Sequence, residues 1–242
     1  MTERLISRGL ALACRRRPGR GPTIVFLPGY MSDMEGSKAA ALDAWAADEG
    51  RAMLRFDYGG CGASDGAFDA QSLADWHDDT LAAIDSVHGP VLLVGSSMGG
   101  WLMLLAALAR PERVIGLVGI AAAPDFTSWG FSDADKATIR EAGRLEEPTP
   151  YGDRPYVTTR TFWESGEALT LLGSEIAIDC PVRLLHGLDD PDVPWRISLD
   201  LAGRLRSADV QATLVKDGDH RLSRPGDIAL LIATVRQLLE RS

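Results

Sequence analysis

The stretch Val91-Leu92-Leu93-Val94-Gly95-Ser96-Ser97-Met98-Gly99-Gly100-Trp101-Leu102-Met103-Leu104 constrains the fold more than any other part of the chain. Its first four residues are unbroken and apolar, the mark of a strand buried on both faces of a parallel sheet. From Met98 to Ala109 helix formers dominate and proline is absent. The two periods meet at Gly95-Ser96-Ser97-Met98-Gly99, so a strand must become a helix within a few residues. Glycines on both flanks let the two backbones pass closely and push the central serine into an exposed, strained position. The helix behind Ser97 begins with unpaired N–H groups and the positive end of a dipole, which is what a developing oxyanion needs. Small residues are common at turns, and a serine there can also be a plain helix cap. The chemistry must therefore be sought in partners elsewhere in the chain.

The rest of the chain builds a sheet around that strand. Residues 5–17 alternate loosely and predict one or two antiparallel strands, turning at Gly9. Largely apolar stretches predict strands at 23–27, 52–56, 114–123 and 181–185, and a further strand is read at 210–215. Helices are predicted at 36–49, 72–87, 98–109, 195–205 and 225–240, with Ser72 and Asp75 placed for a capping box. Strand and helix alternate, which predicts an α/β fold: a mostly parallel central sheet with helices on both faces. A chain of 242 residues is enough for one such domain, so residues 1–242 are read as a single unit.

Residues 124–176 break the alternation. They hold Pro124, Pro148, Pro150 and Pro155, with Phe126, Trp129, Phe131, Tyr151, Tyr156, Phe162 and Trp163, and a charged helical piece at 132–145. An insertion after the strand ending near Ala123 predicts a lid over the strand ends. Trp129, Phe131, Phe162 and Trp163 are its candidates for lining an apolar substrate pocket.

The formal net charge of -9 argues against nucleic acid or an anionic membrane as partner. Arg15-Arg16-Arg17 with Arg20 reads as a solvated turn between early strands. No run approaches the length of a membrane-spanning helix. The cysteines, Cys14, Cys61 and Cys180, are odd in number and far apart, which suggests neither a zinc site nor a disulfide framework. No metal and no cofactor is expected. Met1-Thr2-Glu3-Arg4 is not followed by an apolar segment and cleavage site, and the cysteine usage fits a reducing cytosol, so a cytoplasmic location is expected. Nothing in the sequence sets the oligomeric state.

A serine hydroxyl needs a base within hydrogen-bond reach, and the base needs an orienting carboxylate. His220 follows the last predicted strand and lies beside Gly218 and Asp219, as a loop-borne base should. His186 is the rival, but it sits at a strand end beside Gly187, where holding the loop is its expected task. His77 and His88, on and just after a helix, read as packing or surface residues. Asp189, Asp190 and Asp192 all follow the strand ending at His186, and spacing alone does not choose among them. Asp57, in Asp57-Tyr58-Gly59-Gly60-Cys61-Gly62-Ala63-Ser64, reads as a turn-former, and Cys61 as packing. The strand at 23–27 runs into Pro28-Gly29-Tyr30-Met31. A loop at this place pairs with the residue after the nucleophile to make an oxyanion hole, which assigns it to the backbone N–H groups of Tyr30 and Met98.

Together these features resemble the α/β-hydrolase superfamily over nearly the whole chain. H-G-x-x-D-x-x-V-P is a recurrent loop of that superfamily, whose fifth residue is the triad acid. Laid on His186-Gly187-Leu188-Asp189-Asp190-Pro191-Asp192-Val193-Pro194, the resemblance implies Asp190. Within the superfamily the chain is similar to the abhydrolase acyl-protein thioesterases of animal mitochondria. The matching runs are Phe26-Leu27-Pro28-Gly29-Tyr30, Arg55-Phe56-Asp57-Tyr58, 94–104, Cys180 to Gly187 and Asp219-His220-Arg221. The insertion departs from that pattern. The resemblance implies a Ser97-Asp190-His220 triad and hydrolysis of S-acyl thioesters and acyl-glucuronide esters, so the expected partner is a small-molecule or protein-linked acyl ester or thioester. A short-chain carboxylesterase and a catalytically weak ligand receptor on the same fold are the competing expectations.

Overall fold

The structure is a computed structural model and describes residues 2–149 and 155–240. The chain opens with a hairpin, β1 (Glu3–Ser7) and β2 (Leu10–Arg17), whose turn residues Arg8 and Gly9 both have positive φ, 49° and 81°. Paired positive φ values match the twist of tight hairpins. The sequence then alternates as predicted: β3 (Arg20–Leu27), α1 (Ser37–Asp48), β4 (Arg51–Phe56), α2 (Leu73–Asp85), β5 (Val91–Ser96), α3 (Met98–Ala109) and β6 (Val114–Ile120). An insertion follows, made of α4 (Phe126–Trp129), α5 (Asp133–Ala142), β7 (Arg144–Glu147), β8 (Tyr156–Thr159) and α6 (Arg160–Ala168). The chain ends with β9 (Val182–Gly187), α7 (Arg196–Arg204), β10 (Val210–Val215) and α8 (Pro225–Leu239).

Eight strands form one sheet in the order β1-β2-β4-β3-β5-β6-β9-β10. β1, β2 and β4 pair antiparallel, and every pairing from β4 to β10 is parallel. β5 lies in the middle, and all six of its residues are buried. Its unbroken apolar run follows from this, because both faces are covered. One face buries Ala39, Leu42 and Ala46 of α1 with Leu231, Val235 and Leu238 of α8. The other buries Trp76 of α2, most of α3 and Leu201 of α7.

From β3 the chain first steps outward to β4 and then back across to β5 on the other side. At such a reversal the two following loops diverge and leave a crevice at the carboxyl ends of the strands. Here those ends are Leu27, before Pro28, and Ser96, before Ser97. Because β6, β9 and β10 run parallel to them, the loops after Ile120, Gly187 and Val215 open on the same edge.

Some boundaries differ from the sequence reading. The strand at 114–123 stops at Ile120, since Ala121 turns with φ 43°. The helix at 132–145 stops at Ala142, because Gly143 takes a left-handed cap (φ 81°) and Arg144 starts β7. The β7–β8 hairpin was not predicted: Arg144-Leu145-Glu146-Glu147 has little apolar signal and pairs antiparallel with β8. Pro150 and Tyr151 lie outside the described residues. The capping box on α2 is present, with Asp75 N donating to Ser72 Oγ (3.1 Å) and Ser72 N donating to Asp75 Oδ2 (2.9 Å).

Candidate active site

Ser97 stands where β5 becomes α3, with φ 54° and ψ -120°. A non-glycine residue held there costs about 1–3 kcal/mol, so its neighbours must over-determine it. Its N–H donates to Ile120 O (2.9 Å), and its carbonyl accepts from Gly100 N (2.9 Å) and Ala123 N (3.1 Å). A Cβ on Gly95 would lie 2.3 Å from Gly99 O, and one on Gly99 would lie 2.1 Å from Leu27 O. Glycine at both positions is what lets the strand, the helix and the end of β3 meet so tightly. Met98 is the first residue of α3, so its N–H has no acceptor within the helix.

The loop after β3 runs directly beside the serine: a Cβ on Gly29 would stand 3.3 Å from Ser97 Cβ. The far end of this loop is held by charged side chains from the neighbouring strand and its loop. Arg55 Nη1 donates to Met34 O and Asp57 Oδ1 accepts from Met34 N, both at 2.7 Å. Asp57 Oδ2 also accepts from Ala63 N (2.9 Å), so Asp57 ties two loops together, as its turn chemistry predicts. Cys61 is buried, and burial pushes its thiol up to about 12, which leaves it a packing residue. The Tyr30 ring lies among Phe68, Trp76, Phe126, Tyr156 and Phe162, and its hydroxyl donates to Val157 O of β8.

His220, on the loop after β10, comes to the same edge. Its Nε2 is 3.2 Å from Ser97 Oγ, and its Nδ1 is 2.9 Å from Asp190 Oδ2. Facing a carboxylate, Nδ1 carries the proton and donates, which leaves Nε2 as acceptor for the serine hydroxyl. Lys38 of α1 steadies this loop, its Nζ donating to Arg221 O at 2.5 Å. Burial, with Arg221 adding, brings the Lys38 ammonium down to about 8. His77 is half-buried on α2 and His88 is exposed.

Asp190 is the aspartate that the loop after β9 turns inward. Its Oδ1 accepts from Asp192 N and Val193 N, each at 2.9 Å. Burial alone would raise its pKa. Hydrogen bonds from His186 and His220, the nearby His220 charge and the Val193 N–H outweigh that and hold the carboxyl far below the usual range. Asp189 and Asp192 are exposed. His186 is fully buried, with Nδ1 2.7 Å from Ser198 Oγ and Nε2 2.9 Å from Val193 O. Among the described residues, the metal-capable side chains that gather closely are Asp190, Asp192 and His220, with donor atoms within 4.8 Å of one another. Two of these three already belong to the hydrogen-bonded line with Ser97.

A cavity of about 990 Å³ opens on this line. Ser97, His220, Pro28, Tyr30 and Lys38 form its floor and sides, and Phe126, Trp129, Phe131 and Tyr156 of the insertion also line it, with Glu147 and Thr149. Trp129 and Phe131 therefore lie on the cavity wall. Phe162 and Trp163 do not line the cavity. Both are buried: Phe162 packs the insertion onto the main core through Tyr30 and Trp76, beside Phe126, and Trp163 Nε1 donates to Thr127 O (3.0 Å). An aromatic residue on an amphipathic helix such as α6 can face either way, and sequence pattern does not say which side meets the ligand.

A hydroxyl against an imidazole that is itself held by a carboxylate, beside unpaired helix N–H groups, has the parts needed for acyl transfer. Comparisons with known proteins identify the family. The family model described as serine aminopeptidase, S33, matches residues 21–145. The mouse protein named palmitoyl-protein thioesterase ABHD10, mitochondrial, is 44% identical over 235 residues, covering 95% of this chain and 79% of that one. The chain belongs to the ABHD10 family of α/β-hydrolases. The human ABHD10 protein of the same name is 41% identical, covering 95% of this chain and 77% of that one. The solved structure of mouse ABHD10 superposes with a TM-score of 0.93 at 41% identity, covering 100% of this chain and 99% of that one. Est1E from Butyrivibrio proteoclasticus, solved with ferulic acid bound, shares the fold, with a TM-score of 0.83 at 19% identity. Membership of the ABHD10 family makes the chain an ester-hydrolysing enzyme.

The same relatives correct the expected cytoplasmic location, because the mouse, human and rat ABHD10 proteins are all named as mitochondrial. Unpaired cysteines separate oxidising from reducing compartments, but not one reducing compartment from another. Among the described residues no helix is long and apolar enough to cross a membrane.

Proposed function

We propose that the chain hydrolyses acyl thioesters and carboxylic esters through an acyl-enzyme, with Ser97, His220 and Asp190 as its triad and residues 124–176 as a lid. Ser97 Oγ attacks the acyl carbon while its proton passes to His220 Nε2. Asp190 orients the ring and stabilises the imidazolium. The N–H groups of Tyr30 and Met98 hold the tetrahedral oxyanion. Collapse of that intermediate breaks the bond to the leaving thiol or alcohol, which takes the proton from His220 and leaves the acyl group on Ser97. Water, giving a proton to His220, then attacks the acyl carbon, and the released acid leaves Ser97 with its proton restored.

The observation that carries this reading is the Ser97–His220–Asp190 line, with separations of 3.2 and 2.9 Å, opening on a cavity roofed by aromatic side chains. A volume of about 990 Å³ is at the upper end of the range for small-molecule sites, which favours a long acyl chain lying against Trp129 and Phe131. The ABHD10 relatives named as palmitoyl-protein thioesterases support the same choice, an S-acylated protein or peptide.

The test is an acyl-chain-length series of thioesters and oxyesters, run beside fluorophosphonate labelling of wild type and Ser97→Ala. Long-chain thioesters are expected to be the best substrates, with turnover and labelling both lost in Ser97→Ala. An optimum at short-chain oxyesters would make the protein a general carboxylesterase. Labelling at Ser97 with no turnover of any ester would make it a ligand receptor.

A further inference from the structure

The HG pair before the acid loop holds a histidine that the proposed chemistry does not use. His186 is fully buried at the end of β9, and its ring partners come from two elements. Ser198 Oγ of α7 lies 2.7 Å from Nδ1. On the other side, Nε2 faces two acceptors, Val193 O at 2.9 Å and Asp190 Oδ2 at 3.2 Å. An atom facing two acceptors must carry the proton, so Nε2–H donates, and Nδ1 accepts from the Ser198 hydroxyl. Every polar atom of a neutral imidazole is then satisfied, inside the protein. The flanking strands add no charge: Leu214 of β10 is the register partner of His186, and Ile120 of β6 that of Leu185.

Asp190 Oδ2 therefore meets two imidazoles, His186 on its inner side and His220 on its outer side. The inner ring acts by two routes. Its N–H lies beside Oδ2 directly, and it holds the carbonyl of Val193, the residue whose own N–H donates to Oδ1 at 2.9 Å. We infer that His186 is a positioning residue for the acid: it sets the orientation of the Asp190 carboxylate and, by sharing its negative charge, the basicity of His220. The inference rests on the reading of Asp190 as the triad acid. Other charged groups near His220 are Asp192, whose carboxylate is within 4.8 Å, Asp219 and Arg221 beside it in the chain, and Lys38 and Glu147 on the same cavity wall. None touches His186 among the contacts described above.

The sign of the effect follows. Removing the inner donor leaves more negative charge on Asp190, which stabilises the His220 imidazolium and raises the pH at which His220 loses its proton. The acid limb of kcat/KM reports that proton in the free enzyme. In His186→Met, kcat is expected to fall by about 10–100-fold, with KM changed less than about threefold, and the acid limb to move up by about half a pH unit or more. In His186→Gln the side-chain amide puts an N–H near the place of Nε2, and both kcat and the limb should return most of the way to wild type. A role confined to packing would lower the melting temperature in both variants and leave the limb where it is.

If His186→Met does not fold, Ser198→Ala removes the hydroxyl that fixes the inner ring and is expected to shift the limb in the same direction by less. A folded His186→Met or Ser198→Ala with a wild-type acid limb and kcat overturns the inference. Asp190→Asn separates this from failure of the underlying reading: if that variant keeps wild-type turnover, Asp190 is not the acid and the fault lies there.

Discussion

The Ser97–His220–Asp190 line and the insertion above it meet at one cavity, yet different forces hold them. The line sits on loops that leave parallel strands, two of them, β5 and β9, fully buried, and backbone bonds fix those loops at their roots. Ser97 N donates to Ile120 O, Leu188 N to Val215 O and Asp189 N to Gly218 O. The first two tie a loop to the neighbouring strand, and the third ties the loop after β9 to the loop after β10. The insertion adds ring packing among Phe126, Phe162, Tyr30 and Trp76 to its polar ties, among them Leu171 N and Leu172 N donating to Asp125, Thr127 and Ser128 hydroxyls donating to Glu167, and Trp101 Nε1 donating to Leu169 O. Directional bonds demand one geometry, whereas apolar packing accepts other shapes of the same volume. In the proposed function, the sheet edge would fix the reaction, while the insertion's packing could be re-fitted to a substrate.

The largest expected effect tests the first half of that contrast. Asp190→Asn should cut kcat by about 10⁴-fold, since an amide cannot hold the reactive tautomer of His220. Asp192→Asn and Asp189→Asn, on exposed neighbours, should cost far less in the same steady-state assay. The reverse ranking would move the acid along the loop. Next in size is Phe162→Ala, which empties a site that is 1% exposed and should cost about 3–5 kcal/mol in denaturant unfolding. Its acyl-chain preference per folded molecule should stay that of wild type. A changed preference at undiminished stability would return Phe162 to the pocket wall.

Tyr30 belongs to both regions. Its backbone is in the proposed oxyanion hole, while its hydroxyl reaches Val157 O in β8. Tyr30→Phe keeps the ring and deletes the tie, so kcat is expected to fall about 10-fold with little change in KM, as for a lost transition-state contact. An equal loss of substrate affinity would instead assign Tyr30 to ground-state binding. Trp129→Ala should be smaller still: a few-fold change in the ratio of long- to short-chain thioester turnover, with the unfolding midpoint nearly unmoved.

The same contrast decides what could be read from the residues. The strands were legible because β5 and its neighbours are covered on both faces, which forces unbroken apolar runs such as Val91 to Val94. Ser97 was legible because a strand-to-helix turn this tight requires Gly95 and Gly99. The choice among Asp189, Asp190 and Asp192 was not, since all three share one loop, and only family resemblance pointed to Asp190 as the proposed acid. The β7–β8 hairpin escaped notice because its strands are four residues each and largely polar. Lys38 and the hydroxyl of Tyr30 escaped because their partners, Arg221 O and Val157 O, are backbone atoms 183 and 127 positions away. Contacts to a distant main chain leave no pattern in side-chain identity.

Lys38 supplies the smallest effect and a pH test of how firmly the sheet edge is held. Burial favours its neutral form in the folded protein, with a pKa of about 8 against the ordinary 10.5. Between those two values the unfolded chain binds more protons than the folded one, so stability should rise as pH increases from 8 towards 10.5. The neutral amine can still donate to Arg221 O, so the tie survives while the cost of burying a charge disappears. In Lys38→Met that rise should be absent. The difference between wild type and variant, from urea midpoints at about pH 7.5 and about pH 9.5, should be on the order of 1 kcal/mol. Parallel curves for the two proteins would mean that Lys38 is solvated in the folded state, and that the His220 loop is held by its own backbone turn, with Leu222 N donating to Asp219 Oδ1 at 2.9 Å, rather than from α1.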